Sequence, residues 1–429
     1  MRRRRARVRV AVFPFIVFST VATSDSTALS DITVLDLSRV LAGPWATQTL
    51  ADLGANVIKV ESPGKGDDTR SWGPPFVEGA GPGLRDATYY LAGNRGKRSI
   101  TIDMSRPEGQ ELVLALAAKA DVLVENYKVG GLARYGLDYA SLKTRFPGLI
   151  YCSITGFGQT GPYAHRAGYD VLLQGMGGMM SITGERDELP GGGPQKSGVA
   201  IVDLATGLYA TSSILAALHQ RGRTGEGQHI DMALLDVQIA LMSNQAMQYL
   251  VAGDIPGRMG NGHATIVPYQ SFPASDGHVI IAAGNDGQFG RLCECLGHAG
   301  WSQDARFRTN ADRVRHRVEI VELIEQATRG FSSAGLIAAL EARGVPAGPI
   351  NDIAQAFDDP QVKARGLQKT ARRGDQEVPT VASPMRLSAS PIDYSAAPPY
   401  LGQHTESVLA EVLGLDAERI AALKAQGIV

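Results

Sequence analysis

Two aspartates stand in surroundings where a carboxylate needs a reason. Asp170 lies in "RAGYDVLLQGMGGMMSITG" and Asp203 in "SGVAIVDLATGLYATSSILAAL", residues 197–218, both among apolar and glycine-rich neighbours. Val199 to Val202 suit a buried strand or loop end, and Leu204 to Leu218 reads as a helix with almost no charge. An acid at that joint is either a helix N-cap, worth about 1 kcal/mol, or a nucleophile toward an activated acyl group. Attack on a thioester gives a mixed anhydride and a thiolate. The thiolate can re-attack to leave an acyl-enzyme thioester, which a second carboxylic acid resolves. An aspartate is expected to be ionised at neutral pH for this task, in a site that excludes water. Glycine loops could cover such a site and offer backbone N–H groups to an oxyanion. On the residues alone, both readings of each acid stand, with a buried hydrogen-bonded acid as the plain reading of Asp170.

Other chemistries have weaker signals. Cys152, Cys293 and Cys295 are the three cysteines. This sparse, odd set argues for a reducing compartment and against a disulfide framework. Cys293 and Cys295 with His298 lack a second ligand pair, so they read as helix thiols and no metal site is expected. Glu61 closes a strand as a ribose-binding acid would. The turn before it is "SRVLAGP", however, without the close-approach glycines a pyrophosphate needs. No P-loop, G-x-S-x-G elbow or H-E-x-x-H spacing occurs.

The elements that must position these acids read as alternating strands and helices. Ile32–Leu37 is expected as a strand, Pro44–Leu53 as a helix stopped by Gly54, and Asn56–Val60 as the next strand. "KRSITIDM", "DVLVEN" and "LIYCSI" are further strands, separated by helices at Pro107–Ala118 and around Tyr139–Arg145. This pattern predicts an α/β fold with a mainly parallel sheet covered on both faces. Ligands bind such sheets beyond the strands' carboxyl ends, here Ser38–Gly43, Asn126–Gly131 and Thr155–Pro162. The character shifts near 225 and turns helical again after about 333, with an extended connection over 383–399.

At 429 residues, 44% hydrophobic and 20% charged, the chain has room for two or three domains. A net charge of −1 leaves no footprint for nucleic acid or a membrane surface, so an enzyme or small-molecule binder is favoured. Residues 1–29, with four arginines in the first five positions and a short apolar run from Val10 to Val21, are set apart from the fold. They read as a targeting segment or as sequence upstream of the true start.

Taken together, the motifs resemble the class III CoA-transferases, the family of formyl-CoA transferase and the carnitine and bile-acid CoA-transferases. The matching stretches run in order from Ile32 to the C-terminus: "VLDLSRVLAGPWATQTLADLGANVIKVE", "GDDTRSWGPPF", "NRGKRSITIDM", "ADVLVENYKVGGLARYGLDY", "YCSITGFGQTGPYAHRAGYD", "SGVAIVDLATGLYA", "RTGEGQHIDMALLD", "GVPAGPIND" and "LGQHTESVL". "GDDTRSWGPPF", "GQTGP" with "RAGYD", and "NGHATIVPYQSF" look most like the succinyl-CoA:glutarate (hydroxymethylglutarate) branch.

The resemblance implies that Asp203, rather than Asp170, is the nucleophile. Coenzyme A enters as part of the acyl-CoA substrate, with no permanently bound cofactor. The implied CoA site comprises Val40 and Leu41, Ile102, Asp103 and Met104, Asn126, Tyr127 and Lys128, Arg134, and Tyr169 with Asp170. Gly260, Asn261 and Gly262 would form a sparse version of the family's glycine loop. Pro63 stands where formyl-CoA transferase has a CoA-contacting arginine, so those contacts do not transfer as a set. Arg39, Arg70 and His263 are candidates on type for a dicarboxylate acceptor.

The implied architecture is a Rossmann-like large domain from both chain ends (30–225 and 333–429) with a small middle domain (226–332). Two such ring-shaped subunits would interlock as a homodimer. An acyl-CoA racemase of the same family, or a non-catalytic CoA-binding protein, are the alternatives. Acyl-CoA substrates suit the cytoplasm, or the mitochondrial matrix if residues 1–29 are a presequence.

Overall fold

The computed structural model of the chain describes residues 27–79 and 85–429. The 1–29 extension therefore lies, apart from its last three residues, outside the described part. Six strands make the main sheet: β1 (Thr33–Asp36), β2 (Asn56–Glu61), β3 (Lys97–Thr101), β4 (Val122–Glu125), β5 (Ile150–Thr155) and β6 (His229–Ala233). All pairings are parallel and the order is β3-β2-β1-β4-β5-β6. Strands covered on both faces read as near-continuous apolar runs, as "VLVE" and "IYCSIT" do.

Neighbouring residues along these strands feed two separate cores. Leu35, Ile58, Ile100, Leu123 and Tyr151 pack on one face, with Val113 and Leu116 of the helix Pro107–Ala117. The C-terminal helices Thr405–Leu413 and Ala417–Ala425 close the same face with Val408, Leu409, Ile420 and Leu423. Val34, Val57, Val124, Ile150 and Cys152 pack on the other face. There they meet the helix Ala42–Asp52 and the long helix Ile201–Thr224. Those two helices cross closely at Gly207, where a Cβ would stand 2.7 Å from the Ala42 carbonyl oxygen. The long helix is apolar and long enough to cross a membrane by composition, and here its Val202, Ala210 and Ile214 are core residues.

A second sheet is antiparallel: β7 (Tyr269–Ala274), β8 (Gly277–Ala282) and β9 (Ala347–Pro349), in the order β9-β8-β7. Phe272, Val279 and Ile281 form its core with Phe289, Leu292 and Cys293 of the helix Asp286–Cys295. Ile320, Ile324, Leu336 and Leu340 come from two later helices. Cys293 is buried, Cys152 is buried in the main sheet, and no metal-holding cluster occurs among the described residues.

Two expected boundaries sit differently against these sheets. Strand β6 follows residue 225 yet completes the main sheet beside β5. The helix Ser333–Glu341 and strand β9 follow residue 332 yet belong to the antiparallel sheet's core. Composition changed near those points, but the hydrogen-bonded ladders did not. The connection from Ser383 to Pro399 carries no helix or long strand, and the Pro399 carbonyl accepts from Arg70 Nη2 and Tyr90 Oη.

Candidate active site

Strand order reverses between β1 and β4, and their carboxyl ends open on a cleft of about 680 Å³. This is the switch point at which open α/β sheets take ligands. One wall is Arg39–Ala42 after β1, the next Asn126–Gly131 with Arg134 after β4. Ile154–Gly156 at the end of β5, Ala164 with Arg166–Tyr169, Leu234 and Asp203 complete it. Gly156 and Gly168 let the last of these walls close in. A Cβ on Gly156 would stand 2.6 Å from the Gly168 Cα, so any side chain there would push the segment off the strand end.

Asp203 occupies the first turn of the long helix, which begins at Ile201 with Ala200 as its N-cap. Two expectations are corrected here. Val202 is helical rather than part of a strand end, and Asp203 does not cap the helix. The capping carboxylate is Asp170: its Oδ2 accepts the backbone N–H of Val202 at 2.8 Å and of Asp203 at 3.3 Å. Its Oδ1 accepts from Gln174 Nε2 at 2.5 Å, and Gln174 Oε1 accepts the Ser197 N–H at 2.8 Å. Asp170 and Gln174, on the short helix Asp170–Met176, thus fix both the approach to the long helix and its start.

The Asp203 carboxyl is half-buried and takes no protein hydrogen bond among the described residues. Burial, then the charge of Asp170, push its pKa up from 3.8 to about 7. The expectation of a fully ionised carboxylate at neutral pH is therefore also corrected, because burial and the neighbouring Asp170 charge both oppose its ionisation. The Tyr89 phenol is likewise raised by burial and by the fields of Asp203 and then Asp170. Its ring meets Trp72 edge-on at 5.4 Å. These two aromatics beside the acid pair carried no role in the sequence reading, although Trp72 lies in the quoted "GDDTRSWGPPF".

Of the residues expected around coenzyme A, Val40, Leu41, Asn126, Tyr127, Lys128, Arg134 and Tyr169 line the cleft with Asp203. Asp170 stands behind them as the cap. Ile102, Asp103 and Met104 lie outside the cleft lining, because β3 ends at Thr101 and is the edge strand. Ile102 is buried in the core, and the exposed Asp103 carboxylate accepts from the Ser105 N–H and Oγ.

Gly260, Asn261 and Gly262 are not brought to the cleft within this chain. The Gly260 N–H donates to the Gly184 carbonyl and Asn261 Nδ2 to Ser271 Oγ, while Arg258 pairs with Asp187. Arg166, to which no motif gives a role, joins Lys128 and Arg134 on the lining, its guanidinium 4.6 Å from the centre of the Tyr163 ring and 5.1 Å from that of Phe157. Its signal was position: it follows the strand end Thr155–Pro162 already marked as a ligand edge.

The three acceptor candidates separate. Arg39 lines the cleft and pairs with Asp68 at 3.1 Å. Arg70 is 6% exposed and consumed by Glu61 and Asp86, at 2.7 and 2.8 Å, with its guanidinium 3.7 Å over Tyr90. A guanidinium so committed is structural rather than free to select a substrate. His263 lies on the antiparallel sheet's side, where its Nδ1 accepts the Thr265 N–H and its ring tilts against Tyr269.

A family model described as CoA-transferase family III matches residues 29–405. The chain is 55% identical over 385 residues to a succinate–glutarate CoA-transferase of Agrobacterium fabrum, covering 90% of this chain and 95% of that protein. It is 44% identical over 404 residues to the succinyl-CoA:glutarate CoA-transferase of Mus musculus, covering 94% and 90%. Among solved structures, a CAIB/BAIF family protein from Brucella suis superposes with a TM-score of 0.80 at 53% identity, covering 90% of this chain and 99% of that one.

Proposed function

The chain belongs to CoA-transferase family III, and from that premise we propose that it moves coenzyme A from succinyl-CoA to glutarate through a covalent Asp203 intermediate. One observation carries the reading. A half-buried carboxylate without a protein hydrogen bond among the described residues opens into the switch-point cleft of a chain 55% identical to a succinate–glutarate CoA-transferase.

An Asp203 oxygen attacks the thioester carbonyl of succinyl-CoA, the C–S bond breaks, and the CoA thiolate leaves a succinyl–aspartyl anhydride. The thiolate then attacks the aspartyl carbonyl, succinate departs, and Asp203 holds coenzyme A as a thioester. A glutarate carboxylate attacks that thioester, the C–S bond breaks to regenerate the thiolate, and a glutaryl–aspartyl anhydride forms. The thiolate attacks its glutaryl carbonyl, giving glutaryl-CoA and expelling Asp203 as a carboxylate. Each step exchanges one acyl bond for another, so no external oxidant, metal or proton source is consumed. Lys128, Arg134 and Arg166 on the lining match the phosphates of coenzyme A. Val40, Leu41, Ile154 and Leu234 supply an apolar wall that keeps water from the anhydride.

The burial of Asp203 is a functional compromise. Desolvation raises the basicity of the carboxylate and hence its nucleophilicity, at the cost of a smaller ionised fraction at neutral pH. The racemase alternative needs a histidine as second base, and no histidine lines the cleft among the described residues.

We also propose that two chains interlock as a homodimer. Exposed apolar side chains crowd the end of the helix Ser243–Ala252 and its exit, with Leu250, Val251 and Ile255 at 72, 78 and 84% exposure. Such a patch suits a partner surface. In this arrangement the large domain is built on the six-stranded sheet and the small one on the antiparallel sheet, the chain leaving the first after the helix Leu234–Leu241 and the second after Pro349. We propose a cytoplasmic location, or the mitochondrial matrix if residues 1–29 are a presequence, because acyl-CoA substrates suit those compartments.

The test is a transfer assay in which purified protein receives succinyl-CoA and glutarate and glutaryl-CoA is read by chromatography. Formation of glutaryl-CoA that depends on both substrates supports the reading. Hydrolysis alone, or transfer to other acids but not glutarate, would contradict it.

A further inference from the structure

Val40 has φ = +71°, a left-handed conformation in which a β-branched residue crowds its own backbone. A residue of this kind persists only where its surroundings over-determine it, and such sites cluster where a ligand must be met. Here the surroundings are explicit. The Ser38 carbonyl accepts from Lys59 Nζ at 2.8 Å. The Arg39 N–H donates to Asn126 Oδ1 at 2.9 Å, and the Arg39 carbonyl accepts from Asn126 Nδ2 at 2.6 Å. The Val40 N–H donates to Asp67 Oδ1 at 3.2 Å.

Lys59 and Asp67 pair with each other at 2.9 Å, both side chains fully buried. Asp67 is fixed in turn by the Thr69 N–H and Oγ1, at 3.0 and 2.8 Å. Its own N–H donates to Glu61 Oε2 at 2.9 Å. Neither Lys59 nor Asp67 lines the cleft, whereas Arg39, Val40, Leu41 and Ala42 all do.

We propose that Lys59 and Asp67 are positioning residues whose buried pair holds Val40 in its left-handed turn and so shapes the cleft wall that receives coenzyme A. The inference rests on the reading of this cleft as the CoA site. The pair sits on β2 and the loop that follows it, so it acts on the substrate only through the backbone of residues 38–40. Without the Asp67 acceptor, Val40 relaxes toward the common backbone regions and carries Leu41 with it. A glycine at position 40 reaches positive φ without that strain and so depends far less on the clamp.

The experiment is a double-mutant cycle on the full-length protein, with coenzyme A itself titrated by calorimetry into wild type, Asp67→Ala, Val40→Gly and the double variant. The expected result is that Asp67→Ala weakens CoA binding about tenfold when Val40 is kept, but no more than about threefold in the Val40→Gly background. Asp67→Asn, which keeps an acceptor oxygen, falls between wild type and Asp67→Ala, and replaces it in the cycle should the alanine variant not fold. An equal loss in both backgrounds, or no loss in either, would overturn the positioning role while leaving the CoA site intact. Failure of the wild-type protein to bind coenzyme A would instead overturn the reading of the cleft, and the proposal with it.

Discussion

The Asp170 carboxylate accepts the backbone N–H groups of Val202 and Asp203, so one acid caps the helix that carries the other. The same contact that places Asp203 at the cleft puts a like charge beside it, which adds to burial in raising its pKa. Geometry and basicity of the proposed nucleophile are thereby set together.

The first consequence is a pH profile. The Asp203 pKa lies at about 7, above the 3.8 of a free aspartate, and only the ionised form attacks. kcat/KM for succinyl-CoA is therefore expected to rise about tenfold per pH unit below 7 and to level off above it. Steady-state rates between pH 5.5 and 9 check this. A profile flat down to pH 5.5 would mean that an ordinary carboxylate does the work.

Asp170 is the second lever. Asp170→Asn keeps a capping oxygen and removes the charge, so the limb of that profile moves to lower pH while burial, the larger cause, keeps it above 4. Asp170→Ala also removes the cap and is expected to cost about 1 kcal/mol of stability. Rate profiles together with urea melts separate the two effects. An unmoved limb in Asp170→Asn would place the cause of the raised pKa elsewhere.

Replacing the nucleophile should strengthen the fold. A carboxyl whose folded pKa exceeds its unfolded one binds more protons when folded. It therefore destabilises increasingly as pH rises from about 4 to 7, and by a constant amount above. Asp203→Asn is expected to gain on the order of 2 kcal/mol at pH 8, after discounting its remaining solvent contact, and little at pH 4. Thermal melts at the two pH values decide it. A gain that does not change between them would contradict the linkage.

Much of the framework was legible in the chain. Alternating apolar runs and helix stops placed β1, β2, β4 and β5 within a residue or two, and with them the strand ends that line the cleft. What was not legible depends on tertiary partners. Asp170 and Asp203 are 33 residues apart, so a cap supplied across that distance leaves no local signature, and Asp203 in isolation reads as its own cap. A valine does not announce a positive φ, because the clamp that imposes it comes from β2, its following loop and Asn126. The β6 strand lies past the change of character near 225 and within the implied small domain, although its pairing with β5 is a matter of space rather than composition.

Arg70 shows the same limit and gives a stability prediction. On type it suited a carboxylate substrate, yet Glu61, Asp86 and the Tyr90 ring occupy it. Arg70→Met strips buried Glu61 of its guanidinium and leaves Asp86 with Arg373 as its remaining cation, and is expected to cost about 3 kcal/mol. KM for the acceptor acid, measured on the folded fraction, is expected to stay within about threefold of wild type. A selective rise in the acceptor KM with stability intact would return Arg70 to the substrate site.

The central claim is that Asp203 forms the covalent intermediate. Its most direct test is an intact-mass spectrum of the protein after brief incubation with succinyl-CoA, beside Asp203→Asn, followed by peptide mapping. Wild type is expected to carry a coenzyme A or succinyl adduct on the peptide containing Asp203, and the variant to carry none. An adduct that persists in Asp203→Asn, or that maps to Asp170, would contradict the account.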